Sequence, residues 1–180
     1  MEKIPTKAIP LKVVVTGAES TGKTTLSQLL ATALNYDYLE EYSRAYLSVL
    51  NRPYIYEDLL SIAKGQYRSE IEAYRNCHQG LICDTSLIVM KVWSLYKYGQ
   101  LDPWIDQTIA AQHWDAFILT HWDIPYEVDP LRENPEERHI LHDLYVDELN
   151  QLDVPYRIMY GTAEDRLEDA IAFVNELQKI

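Results

Sequence analysis

Cationic side chains are scarce in this 180-residue sequence: 16 Lys and Arg stand against 28 Asp and Glu, a formal net charge of −12. A protein that tracks a nucleic-acid backbone needs a basic stripe to displace counterions, so nucleic acid is not an expected partner. Cysteine is nearly absent. Cys77 and Cys83 have neither metal-pair nor disulfide-framework spacing, which excludes a disulfide scaffold and fits a reducing, cytoplasmic setting. No apolar run reaches the length of a membrane span, and residues 1–11 hold no stretch suited to a signal peptide. The expectation is a soluble intracellular protein without a membrane partner. Repeats, linkers and low-complexity tracts are also missing. With 47% apolar residues the chain can bury one substantial core but is short for two, so a single domain over 1–180 is expected.

What is present is an alternation of short apolar strands and helical patterns. Lys12–Thr16 is a β-branched run closed by Gly17, and Lys23–Leu34 has helical spacing through Leu26, Leu29, Leu30 and Ala33. Further strands are predicted at Tyr36–Leu39, Leu81–Cys83, Ala116–Thr120 and Tyr156–Met159. Between the second and third, Leu60, Ala63, Tyr67, Ile71 and Tyr74 share a face of a long helix beginning near Glu57. Asp102-Pro103 marks another helix start, and Asn134, Pro135 and Glu137 repeat the signal. Thr162 and Asp165 open a final helix with Leu167, Ala170, Ile171, Val174 and Leu177 as its buried face. The rhythm predicts an α/β fold, a five-stranded parallel sheet with helices on both faces.

The first strand-to-helix turn carries chemistry. Gly17-Ala18-Glu19-Ser20-Thr21-Gly22-Lys23-Thr24 fits G-x-x-x-x-G-K-[ST] between a strand and a helix, the context a P-loop NTPase requires. Such a loop offers backbone N–H groups and a helix N-terminus to phosphate, with the Lys23 ammonium on β- and γ-oxygens and the Thr24 hydroxyl on Mg²⁺. Thr25 extends this binding segment. Asp84, after the apolar run Leu81-Ile82-Cys83, would emerge at the carboxyl edge of the sheet, where ligands bind in open α/β folds. Its carboxylate could serve the metal or accept a proton from an attacking hydroxyl; it could also simply cap a helix starting at Thr85.

The loop wording G-A-E-S-T-G-K-T-T, the segment Glu40-Glu41-Tyr42-Ser43-Arg44-Ala45-Tyr46-Leu47, the run I-C-D-T followed by K-V-W-S, and I-P-Y-E-V-D-P-L-R carry a resemblance. Together, from about Lys12 to Val174, they resemble the nicotinamide-riboside kinase domain of the bifunctional NAD-biosynthesis regulators, which also occurs as stand-alone AAA-type ATPase-like proteins. The resemblance implies ATP- and Mg²⁺-dependent phosphorylation of the ribosyl 5′-hydroxyl of nicotinamide riboside, giving nicotinamide mononucleotide. Two positions depart from the family wording. Its D-T-D is here Asp84-Thr85-Ser86, and its I-P-W is Ile124-Pro125-Tyr126.

Glu41 and Arg44, three apart at a helix start, are candidates to hold the acceptor's ribose, although an exposed ion pair would look the same. Arg132, between the turn-rich stretch 125–130 and a capped helix, is the preferred residue of a small helical lid that would offer a guanidinium to the transferring phosphoryl. Arg138 is a second lid candidate or part of a solvated face. Trp93, Trp122 and Tyr126 could stack on a flat ring, with core packing an equal account of Trp93. Gly161 and Thr162 follow the last strand, where a P-loop kinase brings a loop against adenine, and they also suit a helix cap. Thr120-His121-Trp122-Asp123 echoes the guanine-reading [NT]-K-x-D pattern only loosely, so ATP is favoured. A kinase for another nucleoside or nucleotide, or a slow nucleotide-dependent switch, would share the loop but not the acceptor pocket and lid.

Overall fold

The structure, a computed structural model, describes residues 9–127 and 136–179. Five strands form one wholly parallel sheet: β1 (Leu11–Thr16), β2 (Asp37–Leu39), β3 (Gly80–Asp84), β4 (Ala116–Thr120) and β5 (Tyr156–Met159), in the order β2-β3-β1-β4-β5. All five predicted strands are present. β1 is central, and its Val13, Val14 and Val15 are fully buried because helices cover both faces.

Side chains divide between the faces with the period of two that a pleated strand imposes. Val14, Leu81, Cys83, Phe117 and Leu119 enter one core, under α3 (Tyr56–Asn76), α4 (Leu87–Tyr98), α5 (Pro103–Ala111) and α6 (Arg138–Gln151). Val13, Val15, Ile82, Ala116 and Ile118 enter the other, under α1 (Lys23–Leu34) and α7 (Ala163–Leu177). A short α2 (Tyr42–Ser48) leans on α3 where Gly65 leaves room: a Cβ there would come 2.0 Å from the Tyr42 ring.

Two of the predicted caps form. Asp102 accepts from the Trp104 N–H at 2.8 Å, and Thr162 exchanges bonds with Asp165 in a capping box. Asn134 and Pro135 lie outside the described residues, and α6 begins at Arg138.

Two helix faces differ from expectation. On α1, Leu29 and Ala33 are exposed, while Ser27 and Ala31 join Leu26 and Leu30 inside. Small residues let this helix approach its neighbours, and the Ser27 hydroxyl is satisfied by the Lys23 carbonyl at 2.8 Å. On α7, Arg166 and Phe173 are buried with Ala170 and Val174, and Leu167, Ile171 and Leu177 only flank them.

The buried charge of Glu70 is paired. Glu70 accepts from Lys12 Nζ and Trp114 Nε1, each at 2.9 Å, and from the Gln112 amide. Burial raises its pKa against the lowering by Lys12. No helix among the described residues is long and apolar enough to cross a membrane.

Candidate active site

The turn between β1 and α1 is a cradle built by backbone geometry. Ser20 and Gly22 have φ of 54° and 78°, and left-handed residues alternating with right-handed ones make a concavity of N–H groups. Gly17 passes so close to β4 that a Cβ would meet the Thr120 hydroxyl at 2.6 Å. Behind it the Thr21 and Thr120 hydroxyls are 2.6 Å apart, and Thr120 donates to the Thr16 carbonyl. Lys23 Nζ reaches back over the loop to the Ala18 carbonyl at 2.7 Å, so the ammonium already overhangs the cradle.

Asp84 comes beside this loop through strand register. Val15 pairs with Asp84, so the last residue of β3 stands level with the end of β1. The carboxylate is fully buried; one oxygen accepts from the Tyr38 hydroxyl at 3.3 Å, and Oδ1 has no partner among the described residues. Burial raises its pKa, opposed by a hydrogen bond with Thr24, and the Glu41 charge adds to the rise. Burial, then the Asp84 charge, push the Tyr38 phenol up to about 12.

Asp84 is not a helix cap. Helix α4 starts at Leu87, and its cap is Ser86, whose hydroxyl accepts from the Ile88 N–H. Between them Thr85 has φ 67°, a strained conformation for a β-branched residue, held by its N–H on the Val15 carbonyl. Ser86, which replaces the second carboxylate of the family wording, is thus a capping residue.

One cavity of about 510 Å³ runs from the loop to the region between α2 and α4. Gly17, Glu19, Ser20, Thr21, Gly22, Lys23, Thr24 and Thr25 line one end, as the motif predicts. The other end has Glu41, Arg44 and Trp93 on its wall, with Leu47, Leu59, Ile62, Val89 and Met90 supplying an apolar floor. Arg44 Nε lies 3.6 Å from Glu41 Oε2 across the start of α2. Tyr145, buried on α6, also lines the cavity, its phenol pushed up by burial and by the charges of Glu41 and Glu19.

Other candidates lie off the cavity wall. Trp122 stacks on His121 with ring centroids 5.3 Å apart, and Tyr126 lies beneath the Arg138 guanidinium. Gly161 donates its N–H to Asp123 at 2.7 Å, and Thr162 caps α7. His142, whose pKa burial and then His121 lower, packs edge-on against His121. The Arg138 guanidinium is turned to the loop rather than to solvent: Nη1 binds the Ser20 and Ile124 carbonyls at 3.2 and 2.9 Å. Arg132 lies outside the described residues.

Arg166 was not anticipated. Nearly fully buried, it lines the cavity and donates to the carbonyls of Gly161, Thr21 and His121 at 3.0, 2.5 and 2.9 Å, and to the Asp123 carboxylate. Burial acts to raise the Asp123 carboxyl, but the Gly161 N–H and the Arg166 charge outweigh it and hold the pKa low. Helical periodicity marks position 166 as half-way to the core and gives no sign of partners in three separate loops.

Similarity to known proteins runs through the same regions. The trifunctional NAD biosynthesis/regulator protein NadR of Escherichia coli (strain K12) is 26% identical over 186 residues, covering 98% of this chain and 45% of that protein. NadR of Salmonella typhimurium is 25% identical, covering 86% and 40%. Among solved structures, NadR in complex with NR superposes with a TM-score of 0.82 at 26% identity, covering 97% of this chain and 53% of that one. NadR with NAD and AMP-PNP gives 0.75 at 28% identity, covering 96% and 50%. Thymidylate kinase of Ehrlichia chaffeensis, 17% identical at 0.65 over 94% of this chain and 98% of that one, shares the fold. The chain spans about half the length, or less, of the NadR proteins it matches. The AAA domain family model matches residues 12–166, from the first strand through the arginine that ties the loops together, and the chain belongs to that family.

Proposed function

We propose that this protein transfers the γ-phosphoryl group of ATP to the 5′-hydroxyl of nicotinamide riboside, giving nicotinamide mononucleotide. The observation that carries the reading is the pairing of Val15 with Asp84, which sets a buried carboxylate beside the phosphate cradle of a cavity that continues to Glu41, Arg44 and Trp93. The NadR structures, solved with NR and with AMP-PNP, support it.

Each part has a role. The loop N–H groups and Lys23 hold the β- and γ-phosphates and meet the charge that develops on the transferring group. Asp84 Oδ1, buried and unpaired among the described residues, receives the proton of the attacking hydroxyl. Glu41 and Arg44 hold the ribose, fixing the attacking oxygen in line. Glu40 and Glu41 on the acceptor side favour a neutral or cationic acceptor over a nucleotide, and the nicotinamide ring of the riboside is a cation that Trp93 can face. Arg132 supplies the lid guanidinium.

The Thr24 hydroxyl suits Mg²⁺, a hard cation that takes oxygen donors, and the Asp84 carboxylate, hydrogen-bonded to Thr24, would hold a water of that ion rather than the ion itself, leaving Oδ1 for the proton. A bound Mg²⁺ would supply charge neutralisation at the β- and γ-oxygens. The test is incubation with ATP, Mg²⁺ and a panel of nucleosides and nucleotides, read by product mass. Nicotinamide mononucleotide is expected as the main product. ATP hydrolysis with no phosphorylated acceptor would instead support a slow switch.

A further inference from the structure

A loop that points its N–H groups inward must turn its carbonyls outward, and those carbonyls need partners wherever water is excluded. For two of the loop's carbonyls the partners are arginines. The Ser20 carbonyl accepts from Arg138, and the Thr21 carbonyl from Arg166. The peptide unit is planar and trans, so the C=O of Thr21 and the N–H of Gly22 point in opposite directions on one rigid plate. A guanidinium that holds the oxygen from behind therefore aims the N–H forward.

We propose that Arg166 is a positioning residue for the phosphate cradle: it fixes the Thr21–Gly22 peptide plane, and through it the Gly22 N–H, toward the bound phosphates. The geometry suits this role better than simple charge burial. One guanidinium spans Thr21 in the P-loop, His121 after β4 and Gly161 after β5, three segments joined nowhere nearby in sequence. Asp123 anchors it from the far side and also takes the Gly161 N–H, so the planar fork is held in one orientation. Arg138 does the same for the preceding plane, from Ser20 to Thr21. Both arginines also place positive charge behind the loop, where it adds to the field of the helix N-terminus.

The inference rests on the loop binding nucleotide, not on which acceptor is phosphorylated, so it is tested without an acceptor first. Binding of ADP is measured calorimetrically for wild type, Arg166→Met and Arg166→Lys, with far-UV circular dichroism on the same samples. Arg166→Met is expected to weaken ADP by about tenfold or more, the scale of a hydrogen bond to a charged group. Arg166→Lys keeps a cation for Asp123 but cannot span three carbonyls, so it should fold and still lose several-fold in affinity. In turnover assays the KM for ATP should rise while that for the acceptor stays within about twofold. A folded Arg166→Lys protein with wild-type ADP affinity would overturn the proposal, and it decides the question if Arg166→Met does not fold. Equal losses toward ATP and acceptor would also overturn it, by marking a general loosening. Wild type that fails to bind ADP would remove the nucleotide reading itself.

Discussion

Tyr38 and Asp84 face each other across neighbouring strands, the phenol donating to one carboxylate oxygen at 3.3 Å while the other oxygen is left without a partner among the described residues. The carboxylate is thus oriented by one atom, while the other is buried just off the cavity wall with no bond among the described residues. Asp84→Asn keeps the shape and removes the charge. Transfer is expected to fall by about 10²-fold or more, in line with the loss of a general base, with nucleotide binding weakened and less dependent on Mg²⁺. Because Ser86 is the cap of α4, thermal stability should hold steady; unchanged turnover would leave Asp84 a packing residue.

Lys23→Ala should abolish detectable transfer, a loss on the order of 10²–10³-fold, without unfolding the sheet. The ammonium bonds the Ala18 carbonyl within the loop itself and belongs to neither buried core, so the sheet does not rest on it. Steady-state assays beside circular dichroism check this, and near-normal turnover by a folded variant would sink the cradle assignment.

At the other end of the cavity, Glu41→Gln should raise the KM for nicotinamide riboside by about tenfold and leave that for ATP nearly unchanged. Trp93→Leu should act in the same direction and more weakly, since it keeps the apolar wall and removes the π-face, an effect of roughly 0.5–2 kcal/mol. Acceptor and ATP titrations on both variants separate the two ends. A rise in the ATP constant alone would move the acceptor elsewhere.

A stability prediction comes from Asp58, which accepts from Arg52, from the Tyr46 hydroxyl and from the Ile55 N–H at the start of α3. Arg52 foremost holds its carboxyl well below the usual value of 3.8, against the raising effect of burial. A depressed folded pKa means stability that is complete above the unfolded value and lost as pH falls through the folded one. Asp58→Ala should therefore lower Tm at pH 7, through about 1–3 kcal/mol of lost capping and hydrogen bonding. The gap to wild type should narrow below about pH 4. A gap independent of pH would mean that only packing was lost.

The sheet was legible in the sequence because β1, β3 and β4 are short, mostly β-branched or aliphatic runs, buried on both faces so that no alternation confuses them, and the less buried edge strands β2 and β5 follow the same strand-helix rhythm. The caps Asp102 and Thr162 were legible for the same local reason, a side chain bonding to the backbone two or three residues on. Features that join distant segments were not. Apolar periodicity favours Leu29 over Ser27, yet the hydroxyl of Ser27 is satisfied inside its own helix and the smaller side chain goes in. Arg166 and Glu70 look like surface charges until Asp123 and Lys12 are brought to them from 43 and 58 residues away. Trp122 and Tyr126, which aromatic character marked as ring-stacking candidates, each have a partner within the chain that the sequence did not show, His121 for one and Arg138 for the other.

The register of Val15 against Asp84 separates what can change in this molecule from what cannot. The phosphate loop and the proposed base follow from two adjacent strands, so their spacing is fixed by the ladder of the sheet, about 4.8 Å from strand to strand. Most of the acceptor wall, from Glu40 to Ile62, belongs instead to the single crossover that carries the chain from β2 to β3. That excursion can be lengthened, shortened or exchanged without altering the distance between cradle and carboxylate. A change of acceptor is therefore a matter of rewriting one connection, and the phosphoryl chemistry would be inherited intact by whatever nucleoside the new wall admits.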